Sequence, residues 1–278
     1  MKSQPHFSIQ NKSEPRKSGG MAARLVRNNG WMVLISLGMA ILIWALVIQW
    51  SHLPAFILPS PSAVWMRFVQ VLSDGSLVRN TLVTLAEVLS GLLIGSTLAT
   101  LIGYGLAKSS TLEKILSPYL VASQAVPTVA IAPLLVIWFG PGMISKIIIC
   151  ALTVFFPILV NTIIGIQAVP ESLYDLMKSM RASKAQTLRY LEVPAALPVL
   201  FGGLRIGATL SVIGAVVGEF VGSDRGLGFM INVGRGQFDT ALVFVALFML
   251  IALAVLLYSL AYSAEKHVIR WKPGGFKS

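Results

Sequence analysis

From residue 31 onward the chain alternates between long apolar runs and short polar breaks. The first run, Trp31 to Trp50, is about 20 residues long, which at 1.5 Å per residue crosses the hydrocarbon core of a bilayer. It carries a tryptophan at each end, as interfacial anchors often do. Further runs lie at about 80–107, 118–140, 147–166, 197–221 and 241–262. This pattern predicts an all-α protein, a polytopic membrane helical bundle with six transmembrane helices.

The breaks and irregularities add detail. Pro54, Pro59 and Pro61 open an irregular stretch after the first run. Ser62 to Leu72 then reads as a short amphipathic helix with Val64, Phe68 and Leu72 on one face, lying along the membrane surface. The second run contains Gly91-x-x-x-Gly95, a small-residue face that lets helix backbones approach closely. The ordinary glycine enrichment of membrane helices accounts for it equally well. Lys108 to Lys114 is a polar turn. The third run is broken by Pro127 and Pro133, and such defects are tolerated where protein or a water-filled cavity covers them. Ser123, Gln124 and Thr128 sit at the same level, so this run is a candidate for lining a pathway. A kink that serves packing alone is the competing reading. The fourth run, after the tight turn Phe139-Gly-Pro-Gly, carries Pro157 and Asn161.

The longest polar break after the N-terminus is Glu171 to Pro198, with Lys178, Arg181, Lys184 and Arg189. Leu173, Leu176, Met177 and Met180 recur at helical spacing and form one apolar face. Ser183-x-x-Gln186 is a capping box that starts a second helix, about Lys184 to Glu192. Pro194 and Pro198 are expected to end that helix and redirect the chain. The elbow at Arg181-Ala182-Ser183 is small and exposed, suited to docking in a groove of another protein. A pair of interfacial helices with no partner fits the pattern as well.

Charge fixes the orientation. Of the 278 residues 55% are hydrophobic and only 12% charged, against about 25% in a soluble domain. With both termini in the cytoplasm, the inner segments hold sixteen Lys and Arg: six in the N-terminal tail, two in the 108–114 turn, four in the polar loop and four in the C-terminal tail. The outer segments hold five, Arg67, Arg79, Lys146, Arg225 and Arg235. That asymmetry places the polar loop in the cytoplasm of a multi-pass cell-membrane protein. It also accounts for the net charge of +11 without nucleic acid as a partner. Residues 1–30 read as a basic, largely disordered cytoplasmic tail rather than a cleaved signal peptide. Residues 31–263 form the transmembrane domain, with the cytoplasmic loop at 171–196, and 264–278 a second basic tail.

The chain holds one cysteine, Cys150, and three scattered histidines, so neither a metal site nor a catalytic set is expected. Glu87, Arg205 and Glu219 fall in or near the apolar runs, where a charge is costly and suggests function by default. A structural role is expected for Arg205, which either snorkels or pairs with a carboxylate. Glu87 reads as a packing partner across the bundle. Glu219 lines an outer gate or meets an external protein, or is simply an interfacial carboxylate.

The polar loop resembles the cytoplasmic signature loop of binding-protein-dependent ABC importer permeases, whose pattern is E-A-A, three residues, Gly, nine residues, I-x-L-P. Anchored on Pro194, Asp175-Leu176-Met177 stand at the E-A-A positions, Arg181 at the glycine, Leu191 at the isoleucine and Val193 at the leucine. Neighbouring segments resemble the nitrate, sulfonate and taurine branch: FILPSPSAVW from Phe56, AIAPLLVIWFG from Ala130, Ala182-Ser183, PAALP from Pro194, GLRIG from Gly203 and GEFVGSDRGLGFMI from Gly218. The resemblance implies a fold like that of type I ABC importer permeases. It implies a second permease copy, as a homodimer in membrane lipid, an ABC ATPase subunit and an extracytoplasmic solute-binding protein. The ATPase-coupling residues it singles out are Asp175, Arg181, Ala182, Ser183, Lys184, Gln186 and Pro194. Pathway candidates are Ser123, Gln124, Pro127, Thr128, Asn161 and Glu219. The outer SDRGLG segment leans toward the group importing riboflavin-like vitamins or pyrimidine precursors, with sulfonate, taurine and nitrate as the other solutes. The departure at Arg181 leaves the shape of the elbow open.

The sequence contains no G-x-x-x-x-G-K-[ST] phosphate loop. No cofactor is expected on this chain, and ATP is expected on the partner subunit, so the chain itself is not an enzyme. An ion-coupled secondary carrier is the competing class, although such carriers usually show repeated halves and mid-membrane ionisable residues. A membrane enzyme is the third, without a recognisable catalytic set.

Overall fold

The computed structural model describes residues 30–51, 54, 56–125 and 127–269. Most of the N-terminal tail and the last nine residues lie outside this range. The chain forms two units, Met1–Ser51 with Pro273–Ser278, and His52–Lys272. In the first, α1 (Gly30–Ser51) is a 22-residue helix, about 33 Å long. Apolar side chains cover its whole circumference, the composition of a helix surrounded by lipid or protein.

In the second unit, α2 (Pro61–Ser73) starts at Ser60, whose hydroxyl accepts the Ala63 N–H at 3.2 Å, and Pro61 occupies the first turn. Its buried face is Val64 and Val71, because residues seven apart lie within about 20° on a helix of 3.6 residues per turn. Leu72, expected on that face, is exposed. The remaining helices are α3 (Ser76–Ala107), α4 (Ser110–Ala125), α5 (Thr128–Phe139), α6 (Met143–Gln167), α7 (Glu171–Ser179), α8 (Lys184–Thr187), α9 (Val193–Gly222), α10 (Leu227–Gly236) and α11 (Thr240–Val268). A five-residue π-helical turn, Leu188–Glu192, joins α8 to α9.

Four helical stretches are long and apolar enough to cross a membrane: Ser76–Ala107, Met143–Gln167, Lys184–Gly222 and Thr240–Val268. Together with α1 and the pair α4–α5 they account for the six apolar runs. The third run breaks at Pro127, between α4 and α5, but Pro133 lies inside α5 without ending it. The polar turn after α3 is shorter than expected, since α4 begins at Ser110. α11 continues to Val268, beyond the expected end of the span. α10 is an element that the hydrophobic runs did not predict.

Helix α6 is the centre of the bundle, packed between α3 on one side and α9 on the other. A Cβ added at Gly91 of α3 would lie 2.2 Å from the Cys150 Cβ, and one at Gly95 2.6 Å from the Ala151 carbonyl oxygen. From the opposite side, a Cβ at Gly214 of α9 would lie 2.9 Å from the Cys150 Cα. The glycines on both neighbours therefore let three backbones close to within distances no side chain permits. The Gly91-x-x-x-Gly95 pattern is thus a packing face. Ala99, Leu106, Val154, Ile158, Leu159 and Ile163 fill the core toward the end bearing the polar loop. Ala132 and Leu135 fix α5 on Ile149 of α6.

The helix after the elbow does not end at the prolines. Lys184–Gly222 is one continuous helical stretch of 39 residues. A proline in an α-helix clashes with the carbonyl four residues back. Here the chain widens just before Pro194, where the Val193 N–H bonds to the Leu188 carbonyl five residues back. The wider turn accommodates the Pro194 ring, and Pro198 lies inside α9.

Candidate functional site

The polar loop is anchored and shaped by local chemistry. Glu171 and Lys178 stand at the first and last turns of α7, each sign matching the helix dipole. The helix closes in a Schellman arrangement: the Ala182 N–H bonds to the Met177 carbonyl at 3.0 Å and the Arg181 N–H to the Lys178 carbonyl at 2.9 Å. This arrangement puts the residue between them in the left-handed region, and Arg181 has φ 53°. That is the position at which the signature loop carries glycine, so arginine holds the glycine's conformation. Left-handed backbone costs a non-glycine residue about 1–2 kcal/mol. Arg181→Gly is therefore expected to steady the elbow by up to about 1 kcal/mol, and Arg181→Val to loosen it by a similar amount, read as slower or faster amide exchange at Ala182.

Past the elbow, the expected capping box is formed. The Gln186 N–H donates to the Ser183 hydroxyl at 3.2 Å and the Ser183 N–H to the Gln186 side chain at 2.7 Å. Lys184 and Asp175 are exposed, and Asp175 pairs with Lys178 at 3.0 Å. Pro194 is half-buried. Among the described residues the apolar face of the loop is only partly covered: Leu176 is 54% and Met180 70% exposed. α7 makes only sparse contact with the bundle. A cavity of about 520 Å³, lined among others by Lys108, Gln167, Tyr174 and Lys178, lies beneath it.

One cluster ties the loop to the bundle. Glu192, in the π-turn, is buried, and its carboxylate accepts the Tyr104 hydroxyl at 2.9 Å and pairs with the Lys108 ammonium at the end of α3. The same ammonium lies 5.0 Å from the centre of the Tyr174 ring on α7. Burial pulls the Lys108 ammonium down, but the hydrogen bond and charge of Glu192 outweigh it and hold the group above the ordinary lysine range. A lysine raised in this way contributes its stabilisation fully below its unfolded value and loses it only as pH rises through the higher folded one. The lysine side of the pair thus keeps its charge up to about pH 10. Burial first, then the Glu192 charge, raises the Tyr174 phenol as well.

The opposite end of the bundle holds a second buried polar cluster. The Glu219 carboxylate accepts the Thr84 hydroxyl at 2.6 Å and the Gly228 N–H. Asn80 accepts the Gly226 N–H and Thr84 the Leu227 N–H, both at 2.8 Å. Together these side chains cap the start of α10, whose free amides and dipole favour an anion. Gly226 has φ 109°, and a Cβ there would lie 2.2 Å from the Glu219 carboxylate. The glycines of the SDRGLG segment thus make room for Glu219. The Lys146 ammonium lies 3.3 Å from the Glu87 carboxylate and donates to the Ser223 hydroxyl at 2.6 Å.

Each singled-out charge therefore has a place. Glu219 is fully enclosed and helps cap the start of α10. Glu87 crosses from α3 to α6 through Lys146. Arg205 pairs with Glu265 of α11 at 3.3 Å and lies over Tyr258 and Tyr262. Asn161 is half-buried; its amide donates to the Pro157 carbonyl at 2.8 Å, and its side chain lies against Gly203. The Ser123 hydroxyl donates to the Leu120 carbonyl at 2.9 Å. Thr128 is half-buried and Pro127 exposed. The side chain of Gln124 lies outside the described residues. The sequence reading missed Asn80, Thr84, Lys108 and Glu192. Lys108 and Glu192 sit in segments read as a polar turn and a helix end, and nothing local to either segment pairs them.

Comparison with known proteins follows the same lines. Residues 91–270 match the family described as binding-protein-dependent transport system inner membrane component. The chain is 47% identical over 238 residues, 86% of its length and 89% of the relative's, to the riboflavin transport system permease protein RibX of Chloroflexus aurantiacus. It is 35% identical to the formylaminopyrimidine transport permease protein ThiX of Halalkalibacterium halodurans, over 84% of this chain and 93% of that one. The fold is similar to a chain of the MetNI methionine ABC transporter in an inward-facing conformation, with a TM-score of 0.59 at 21% identity, covering 71% of this chain and 96% of that one. With the multi-pass helices, the elbow of the signature loop and these matches together, the chain belongs to the binding-protein-dependent inner membrane component family, as a permease subunit of an ABC importer for a small solute.

Proposed function

We propose that this permease carries riboflavin or a closely similar flat heteroaromatic solute into the cell, driven by a separate ATPase that docks on the 171–196 loop. The observation that carries the loop's role is the exposed elbow beside a largely exposed apolar face on α7: among the described residues Leu176 and Met180 remain more than half exposed. The 47% identity to a riboflavin permease over most of both chains supports the choice of solute. On this reading ATP is bound and hydrolysed by the partner, a binding protein delivers the solute outside, and two copies of the chain form the pathway. Both termini lie in the cytoplasm, on the side where sixteen Lys and Arg gather. The ionisable groups an ion-coupled carrier would draw on, Glu87, Arg205 and Glu219, are engaged with Lys146, Glu265 and the α10 cap.

The test is capture of the ATPase by the tagged chain in mild detergent, beside riboflavin uptake in cells expressing the whole system. Changing Ala182 and Ser183 to aspartate is expected to cut capture at least tenfold and to abolish uptake. Uptake that survives ATP depletion, or capture unaffected by the two aspartates, would overturn the coupling role. Robust ATPase capture without riboflavin uptake would remove the choice of solute alone.

A further inference from the structure

The loop is covalently continuous with α6 and α9, but α3 has no such connection to it. A cavity lies between one side of α7 and the ends of α3 and α6, and the π-turn faces Glu192 inward rather than to solvent. Glu192 is 2% exposed, a position in which an unpaired carboxylate is costly. Its partners both come from the last turn of α3, Tyr104 at 2.9 Å and Lys108. Tyr174 of α7 completes the contact from the loop side through the Lys108 ammonium. π-turns inside helices are rare and are found disproportionately at functional positions. Here the turn does two things at once: it passes Pro194 and buries Glu192.

We propose that Glu192 is a positioning residue for transport, a latch that binds the loop to the inner end of α3 so that this helix moves with the loop throughout the ATP cycle. The proposal rests on the reading that an ATPase drives the loop. Without the latch, a push on the elbow reaches α6 and α9 directly but leaves α3 to follow through its packing on those two helices, with no tie at its inner end. Such a residue affects how movement is shared among helices rather than whether the ATPase binds.

The test uses the full complex in nanodiscs, with spin labels on Leu101→Cys of α3 and Ser172→Cys of α7. Cys150 is buried and stays unlabelled. In the otherwise native chain the label distance is expected to be the same without nucleotide and after trapping with ATP and vanadate. In Glu192→Gln the ATPase is expected to bind and hydrolyse ATP as before, while the trapped distance shifts by about 5 Å or more, one helical turn. Exchanging the charges, Lys108→Glu with Glu192→Lys, is expected to restore most of the native behaviour. Tyr104→Phe, which removes one hydrogen bond, gives a smaller shift and serves if Glu192→Gln fails to fold. The latch is overturned if the native distance itself changes on trapping, or if none of the variants shifts it. It is also overturned if Glu192→Gln folds but loses the ATPase, because Glu192 would then shape the loop alone. If the native chain captures no ATPase, the functional reading fails first, and visibly so in the unaltered protein.

Discussion

Gly95→Val is expected to prevent the bundle from assembling. The added Cβ would lie 2.6 Å from the Ala151 carbonyl oxygen and 3.0 Å from its Cα. Both are backbone atoms of α6, so no side chain can rotate away, and α3 must move outward along its length. Overpacking of this kind costs about 3 kcal/mol or more where the backbone is the obstacle. That is a large share of the stability of a typical domain. The expected outcome is loss of the monodisperse peak in detergent chromatography and a strongly lowered thermal midpoint. Gly105→Val is the matched control: nothing lies within 4 Å of its Cβ position, so it should behave as the native chain. Equal behaviour of the two variants would mean that α3 and α6 do not pack as described.

Lys146→Ala should be nearly as damaging, for an electrostatic reason. Glu87 is fully buried, and its carboxylate has the Lys146 ammonium at 3.3 Å as its ion-pair partner. Removing one member of a buried pair costs about 3–5 kcal/mol, because the other charge is left in a low-dielectric setting. Neutralising both, as Glu87→Gln with Lys146→Met, removes the unpaired charge and is expected to recover most of that loss. Thermal unfolding of the three variants in one detergent checks this. If the double variant is no more stable than Lys146→Ala, then the lost packing of the lysine stem, rather than the charge on Glu87, governs the cluster.

The apolar runs were legible because a membrane helix has to be long and continuous. The capping box at Ser183 and Gln186 was legible because its chemistry is local. The fate of Pro194 and Pro198 was not. Local rules stop a helix at proline, but the π-turn before Pro194 depends on where Glu192 finds its partners, and those lie 84 and 88 residues earlier in the chain. The partners of Glu219 were hidden for the same reason. Its neighbours in sequence suggest an exposed loop, whereas Thr84 and Asn80 come from another helix and enclose it. The arginine at the glycine position of the elbow raised a question that only the backbone answers, since φ is not encoded in residue type. α10 escaped notice because ten residues rich in glycine carry too short a pattern to stand apart from a loop.

The uninterrupted helix from Lys184 to Gly222 has a mechanical consequence. Its 39 residues span about 58 Å, well beyond the hydrocarbon thickness. Its midpoint falls at Gly203, where it lies against Asn161 of α6. A stiff rod packed along α6 tilts about its middle. A tilt of about 5° moves each end by about 2.5 Å, and in opposite directions. The end at Ser183 and the end beside Glu219 therefore move in opposite senses whenever the helix tilts. Had the prolines broken the helix, that reciprocity would have had no rigid part to carry it.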